Sequence, residues 1–347
     1  MTKVLTIGSA TMDVFVECDD ANIVSVCSKN KNSDFMSYPY GSKIDITTFS
    51  SNVGGGGVNT ACNFDNLGFE TSAIFKIGKD IYSEGILDSF KPRGVKLNNI
   101  IQKEDTSTGF SIILVSFQGD RTVLAHRGAN AEIREDEINY DAIKDADLIY
   151  VAPLNGESNK VLEPIVEYAH QQGTRICFNA GTTSIKRGFE HIKTILKSAH
   201  IVVMNKEEAT MTTGIQVRPD TKTEKFSHEL IHRDVKKMLT TMKVMDYQII
   251  VITDGGKGAY AYDGQKFYFC PVFPSPVVST LGAGDAFAST FCAALERTKL
   301  NVGLSLMYAS VNSSCVVSEF GATEGLANFD QIEAKLQTNP DYTYLEG

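Results

Sequence analysis

The stretch LGAGDAF, residues 281–287, sets Asp285 directly behind Gly282, Ala283 and Gly284. Phe287, Phe291, Ala294 and Leu295 follow at helical spacing, which predicts a helix over about 283–297. Glycines at a helix start leave backbone N–H groups uncovered, and the helix dipole strengthens their pull on an anion. A carboxylate in that first turn can orient and deprotonate an acceptor hydroxyl beside a phosphate in transfer. The dipole should also lower the pKa of Asp285, making it a weak base. Read alone, the same residues describe a tight turn with an acidic residue stabilising the helix start.

Four further groups carry polar chemistry. Gly54–Gly57 run into a helix and are followed by Asn59; so many glycines suit a backbone pressed against a ligand, or a flexible loop. Asn205 and Glu208, three apart at the end of an apolar strand, could organise magnesium-bound water, or form a capping box. TDGGKGA, residues 253–259, lies at another strand end and suits a phosphate or nucleotide turn, although it lacks the spacing of a Walker loop. Asp13, just after the first strand, could hold substrate hydroxyls or cap a turn. Asn155 and Arg127 are candidate acceptor contacts, with a salt bridge the alternative for Arg127. Tyr38, Tyr40 and Phe49 could stack on a base or fill a small core.

These residues need a frame. From about residue 130, apolar runs at 147–154, 174–180, 199–205 and 247–253 alternate with amphipathic stretches. Runs that apolar are buried on both faces, as in a parallel sheet, so the body is a doubly wound α/β fold flanked by helices. Residues 11–53 lack helical periodicity. Residues 98–128 read as β, with a hairpin turn at Gly119-Asp120. The expected division is a core of 1–10, 54–97 and 129–347, with 11–53 and 98–128 forming a small β-sheet lid. A second hairpin turns at Asp263-Gly264, Gly68 ends the helix after the glycine run, and helices are expected at about 283–297, 302–318 and 329–337.

The 347 residues carry 33 Lys and Arg against 42 Asp and Glu, a formal charge of −9. That acidity disfavours nucleic-acid binding. Seven scattered cysteines, with no Cys-x-x-Cys pair, read as reduced core thiols and point to the cytoplasm. No apolar run is long enough to span a bilayer, and the first residues read as a strand rather than a signal peptide.

In this order the motifs resemble the ribokinase (PfkB) family of carbohydrate and nucleoside kinases, over nearly the whole chain. The resemblance implies a ribokinase-like fold and direct transfer of the ATP γ-phosphate to an acceptor hydroxyl. It implies Asp285 as catalytic base with Gly282, Ala283 and Gly284 as the anion hole. Asp13, Gly55, Gly56 and Asn59, with Asn155, would contact the acceptor. Thr253, Gly256 and Gly258, with Asn205 and Asn312, would serve the nucleotide, and Glu208 would serve Mg2+. The family often has Asp where Ser279 stands, a residue of a potassium site, so potassium activation is left in doubt. Lids of this kind can also pair subunits, which would give a homodimer. The acceptor is expected to be a sugar or sugar acid. The alternatives are a nucleoside, or a non-catalytic sugar- or nucleotide-binding regulator. A Rossmann oxidoreductase is remote, because Gly8-Ser9-Ala10 does not continue as GxGxxG.

Overall fold

The computed structural model describes residues 1–28, 32–117, 121–218 and 231–347. Its centre is a nine-stranded sheet. Six strands run parallel in the spatial order Ile249–Thr253, Ile201–Asn205, Arg175–Asn179, Leu148–Val151, Lys3–Ile7 and Glu70–Ile74. Ala259–Tyr262, Phe267–Cys270 and Leu345–Glu346 extend the Ile249–Thr253 edge antiparallel.

Successive strand residues face opposite sides, so an apolar run feeds two cores at once. Ile149, Val151, Phe178, Val202 and Ile250 pack on one side under the helices Leu162–Gln171 and Arg233–Met242. Leu148, Tyr150, Cys177, Val203 and Val251 pack on the other under Gly56–Asn66, Ala283–Arg297 and Val302–Val317. This is the doubly wound α/β body expected from the sequence. Gly68 has φ +85 and follows the Gly56–Asn66 helix, as its position implies. The last three helices lie at Ala283–Arg297, Val302–Val317 and Phe329–Gln337. The hairpin turn at Gly119-Asp120 and the start of the amphipathic stretch at 228 lie outside the described residues.

A second, four-stranded sheet has the order Arg121–His126, Gly109–Val115, Thr11–Glu17, Thr48–Gly54. Its two faces differ. Asp13, Phe15, Ser111 and Ile113 are buried on one face. On the opposite face Phe110 packs on Tyr82 of the Ile81–Ser89 helix, ring centroids 4.9 Å apart. Asn22–Cys27 and Asn32–Ser37 form a separate exposed hairpin. The expected 98–128 unit is not one piece: Ile101–Lys103 pairs with Lys76–Gly78 beside the core instead. Three residues give too little alternation to show which sheet they join.

Candidate active site

The Ala283–Arg297 helix starts on Gly282, whose φ is +75. A Cβ there would lie 2.7 Å from Ala322, so both the left-handed backbone and the close approach call for glycine. No side chain caps the helix start, which leaves its first N–H groups available to an anion. Asp285 stands in this first turn.

Asn59 comes to Asp285 from the other end of the chain. Its Nδ2 donates to Asp285 Oδ2 at 2.8 Å. Gly55 has φ +96, and a Cβ there would lie 2.5 Å from Ser9 O. The glycine run therefore folds tightly over Ser9, whose Oγ accepts from Gly56 N and whose carbonyl accepts from Gly57 N. A Cβ on Gly56 would be 3.5 Å from Asp285 Oδ1, so the glycine backbone borders the carboxylate directly. Gly55, Gly56, Asn59 and Asp285 thus converge on one point.

Asp13 lies on the inner face of the second sheet. Ser111 Oγ donates to Asp13 Oδ1, and a Cβ at Gly54 would overlap Asp13 Oδ2. Burial pushes the Asp13 carboxyl up, and the hydroxyls of Ser111 and Thr11 oppose that shift. Asp285 also titrates above the ordinary carboxylate value of 3.8, because burial outweighs the Asn59 hydrogen bond. The residue is part-exposed at the cleft, but its carboxylate is enclosed by protein. The lowered pKa expected from the helix dipole is therefore corrected: desolvation wins, and Asp285 is a stronger base than its helix position alone implies.

A cleft of about 340 Å³ opens on the far side of the same helix start. Thr253, Gly256, Gly258, Ala283 and Gly284 line it, with Val272, Val277 and Phe287 forming an apolar part. A Cβ on Gly256 or Gly284 would meet nothing within 4 Å, so open space lies against both. An apolar slot beside an uncapped helix start fits a base and its phosphates. Asn205 pairs in register with Thr253, which brings the 205–208 motif next to this cleft. There Asn205 Oδ1 accepts from Glu208 N and Glu208 Oε2 accepts from Asn205 N, a complete capping box. The box uses one oxygen of the Glu208 carboxylate, which is buried and has its pKa raised by desolvation. That donor set suits Mg2+, which keeps most of its waters and takes few protein ligands. Among the described residues no cluster of three acidic, His or Cys side chains could hold a metal.

The other candidates stand in different surroundings. Asn312 does not face the nucleotide cleft: its Nδ2 donates to Asn63 Oδ1 at 2.9 Å and Thr290 Oγ1 at 2.8 Å, and its Oδ1 accepts from Ala327 N. Ser310, Ser313 and Ser314 face the cleft from that helix instead. Asn63 also reaches Ser289 and Thr290, so this buried network ties the Asn59 helix to the Asp285 helix. Tyr40 and Phe49 are exposed, so neither fills a core. Arg127 is exposed and has no ion pair among the described residues. Asn155 accepts from Thr183 Oγ1 at 2.6 Å on the loop that follows Pro153, and Pro153 lies within 4 Å of a Gly56 Cβ. Ser279 Oγ accepts from Leu281 N.

Sequence reading missed Ser111 and Asn130. Asn130 clamps Ala10, its Oδ1 accepting from Ala10 N at 2.8 Å and its Nδ2 donating to Ala10 O at 2.7 Å, at the root of the Asp13 strand. Alternation along 109–115 puts Ser111 on the same face as Ile113, but only the register shows that Asp13 is its neighbour.

The profile of a family described as "pfkB family carbohydrate kinase" matches residues 1–328. A bifunctional ribokinase/ribose-5-phosphate isomerase A of Fructilactobacillus sanfranciscensis is 26% identical over 96% of this chain, which spans only 56% of that protein's length. A ribokinase of Bacillus subtilis is 24% identical over 97% of this chain and 100% of its own. In three dimensions the chain resembles an Arabidopsis thaliana ribokinase solved with ribose and ATP, with a TM-score of 0.75 at 20% identity, covering 97% of this chain and 99% of that one.

Proposed function

Because the chain belongs to the pfkB family of carbohydrate kinases, we propose that it transfers the γ-phosphoryl group of ATP to a hydroxyl of a sugar or sugar-like acceptor. The observation that carries this reading is the Asn59–Asp285 hydrogen bond, at 2.8 Å. It puts one carboxylate between a glycine-walled polar recess and the apolar cleft of about 340 Å³. The Arabidopsis ribokinase that shares this fold binds a sugar and ATP together, which agrees with two adjoining sites.

In this mechanism Asp13, Gly55, Gly56 and Asn59 hold the acceptor, with Asn155 at the edge. Asn59 keeps Asp285 aimed at the attacking oxygen. Asp285 takes the hydroxyl proton as the acceptor oxygen bonds to the γ-phosphorus, the bond to the β-phosphate oxygen breaks, and ADP leaves. Phosphoryl transfer is loose, so positioning and neutralisation of charge matter more than base strength. The uncapped N–H groups at Gly282, Ala283 and Gly284 neutralise the transferring group. Thr253, Gly256 and Gly258 hold the nucleotide with Asn205 alongside, and Glu208 would hold Mg2+ through water. Mg2+ supplies charge neutralisation on the phosphates when bound.

A nucleoside acceptor is the second reading. A cavity of about 420 Å³ lined by Phe15, Phe117 and Phe320 lies on the outer part of the second sheet, two residues along the strand from Asp13. Aromatic walls there suit a flat ring attached to the sugar. The second sheet acts as a lid in either case. Its Arg121–His126 edge is exposed along its length and could pair with a second copy, which a monomeric mass in light scattering would reject. The scattered cysteines, with no Cys-x-x-Cys pair, suit a reducing cytoplasmic setting. Among the described residues no helix is long and apolar enough to cross a membrane.

An ADP-release screen with MgATP tests the reading against sugars, sugar acids, polyols and nucleosides, with Asp285→Ala as control. One strong acceptor, lost in the variant, names the branch. Turnover that survives in Asp285→Ala removes Asp285 from the chemistry.

A further inference from the structure

Six buried side-chain polar atoms among the described residues lack a hydrogen-bond partner, and among them are Asn52 Nδ2, Ser50 Oγ and Asn59 Oδ1. A donor with no partner is costly to bury, so such atoms persist where a ligand completes them. Asn59 already belongs to the site described above. Asn52 and Ser50 do not, and both stand on the Thr48–Gly54 strand.

The register fixes where they point. Asn52 is directly opposite Asp13, and Ser50 directly opposite Phe15, in an antiparallel pair. Opposed residues share a face, so the Asn52 amide lies beside the Asp13 carboxylate. On its other flank Asp13 pairs in register with Ser111, whose hydroxyl donates to Oδ1. The hydroxyls of Ser111 and Thr11 thus engage Asp13, and the Asn52 donor beside it is unused. Asp13 Oδ2 lies over Gly54, two residues along the same strand and on the same face, where a Cβ would overlap it.

A hydroxyl is the group that completes this pair, since it donates and accepts at once. We propose that Asn52 is an acceptor-recognition residue, donating through Nδ2 to the same acceptor hydroxyl that donates to Asp13, with Ser50 reading a second polar group further along the strand. Ser50 lies two residues from Asn52, about 6.7 Å at the rise of an antiparallel strand. The acceptor is therefore a polyhydroxylated molecule that keeps a polar group beyond the hydroxyl held at Asp13. This rests on the kinase reading, and it adds the specificity that the glycine run and Asp13 do not supply.

The test takes the panel acceptor that the wild-type protein phosphorylates best among D-ribose, D-fructose and inosine. Asn52→Leu and Asn52→Ala should raise the KM for that acceptor roughly 5- to 100-fold, with the KM for ATP unchanged. Deoxy analogues of the acceptor sharpen the result: wild type should reject one of them strongly, and Asn52→Leu should lose that discrimination. An acceptor KM raised less than fivefold in both variants, or discrimination unchanged in Asn52→Leu, overturns the proposal. A second measurement needs no acceptor. If Nδ2 is unpartnered in the free protein, Asn52→Leu should melt no lower than wild type, whereas a clear drop shows the amide engaged internally and sinks the idea. Failure of the wild type to phosphorylate any of the three counts against the kinase reading, and the melting comparison still decides the fate of Asn52.

Discussion

Replacing Asp285 by Asn changes one proton-accepting atom and little else. The amide can still accept from Asn59 Nδ2, so the 2.8 Å contact between the two halves of the site survives. Acid–base assistance of this kind is worth about 10²–10⁴-fold, or roughly 3–5 kcal/mol of barrier. Steady-state ADP release should therefore show kcat lowered by about that factor with ATP affinity retained, the latter measured by nucleotide titration. The same substitution should alter stability in a defined direction. Burial holds the folded-state pKa of Asp285 above its unfolded value of 3.8. Between those two values the folded protein binds more protons than the unfolded chain, so stability falls as pH rises through the window. An amide at this position has no proton to lose, and Asp285→Asn should melt higher than wild type at neutral pH, with the gap closing on acidification. A loss of turnover under about tenfold, or a variant that melts lower than wild type at pH 7, would refute the argument that Asp285 is a buried, ionised base.

Other expectations follow from single contacts. The acid limb of the pH–kcat/KM profile should lie above the ordinary carboxylate range, since Asp285 must lose a proton whose pKa burial has raised; a limb near 3.8 would place the base elsewhere. Gly282→Ala forces a left-handed backbone on alanine at about 1–2 kcal/mol and sets its Cβ against Ala322, so urea unfolding should report at least that loss along with most of the turnover. Asn312→Ala strands Asn63 Oδ1 and should cost about 1–3 kcal/mol in urea unfolding while ATP affinity stays unchanged; a large loss of ATP affinity with normal stability would return Asn312 to the nucleotide site. With Ser279 offering only a hydroxyl already engaged by Leu281 N, exchanging NaCl for KCl should leave kcat unchanged, and strong activation by potassium would show that backbone carbonyls alone can build that site.

Local pattern carried a large part of this protein. The apolar runs at 147–154, 174–180, 199–205 and 247–253 had to be buried on both faces, and the structure places each in the parallel sheet, feeding two cores. The glycines at 54–57 and at 282 and 284 were legible because few other roles explain so much lost side chain, and at Gly55 and Gly282 the close approach is to Ser9 and Ala322 of the chain itself. Asp285 could be found because it sits within one helical turn of its glycines. What lay beyond one turn could not. Asn312 reads as a polar residue on a helix near the site, and only packing shows its amide turned inward to Asn63. The pKa of Asp285 moved opposite to the dipole's pull because desolvation depends on every element that closes over the carboxylate, and no stretch of sequence contains them all. Asn52 is one polar residue in a half-exposed strand until the register sets it across from Asp13, 39 positions away along the chain. Composition and periodicity act over a few residues, and so they determined the elements; tertiary structure alone brings together side chains from strands and helices far apart in sequence, and so it decided which of them share a proton, a hydroxyl or a helix end.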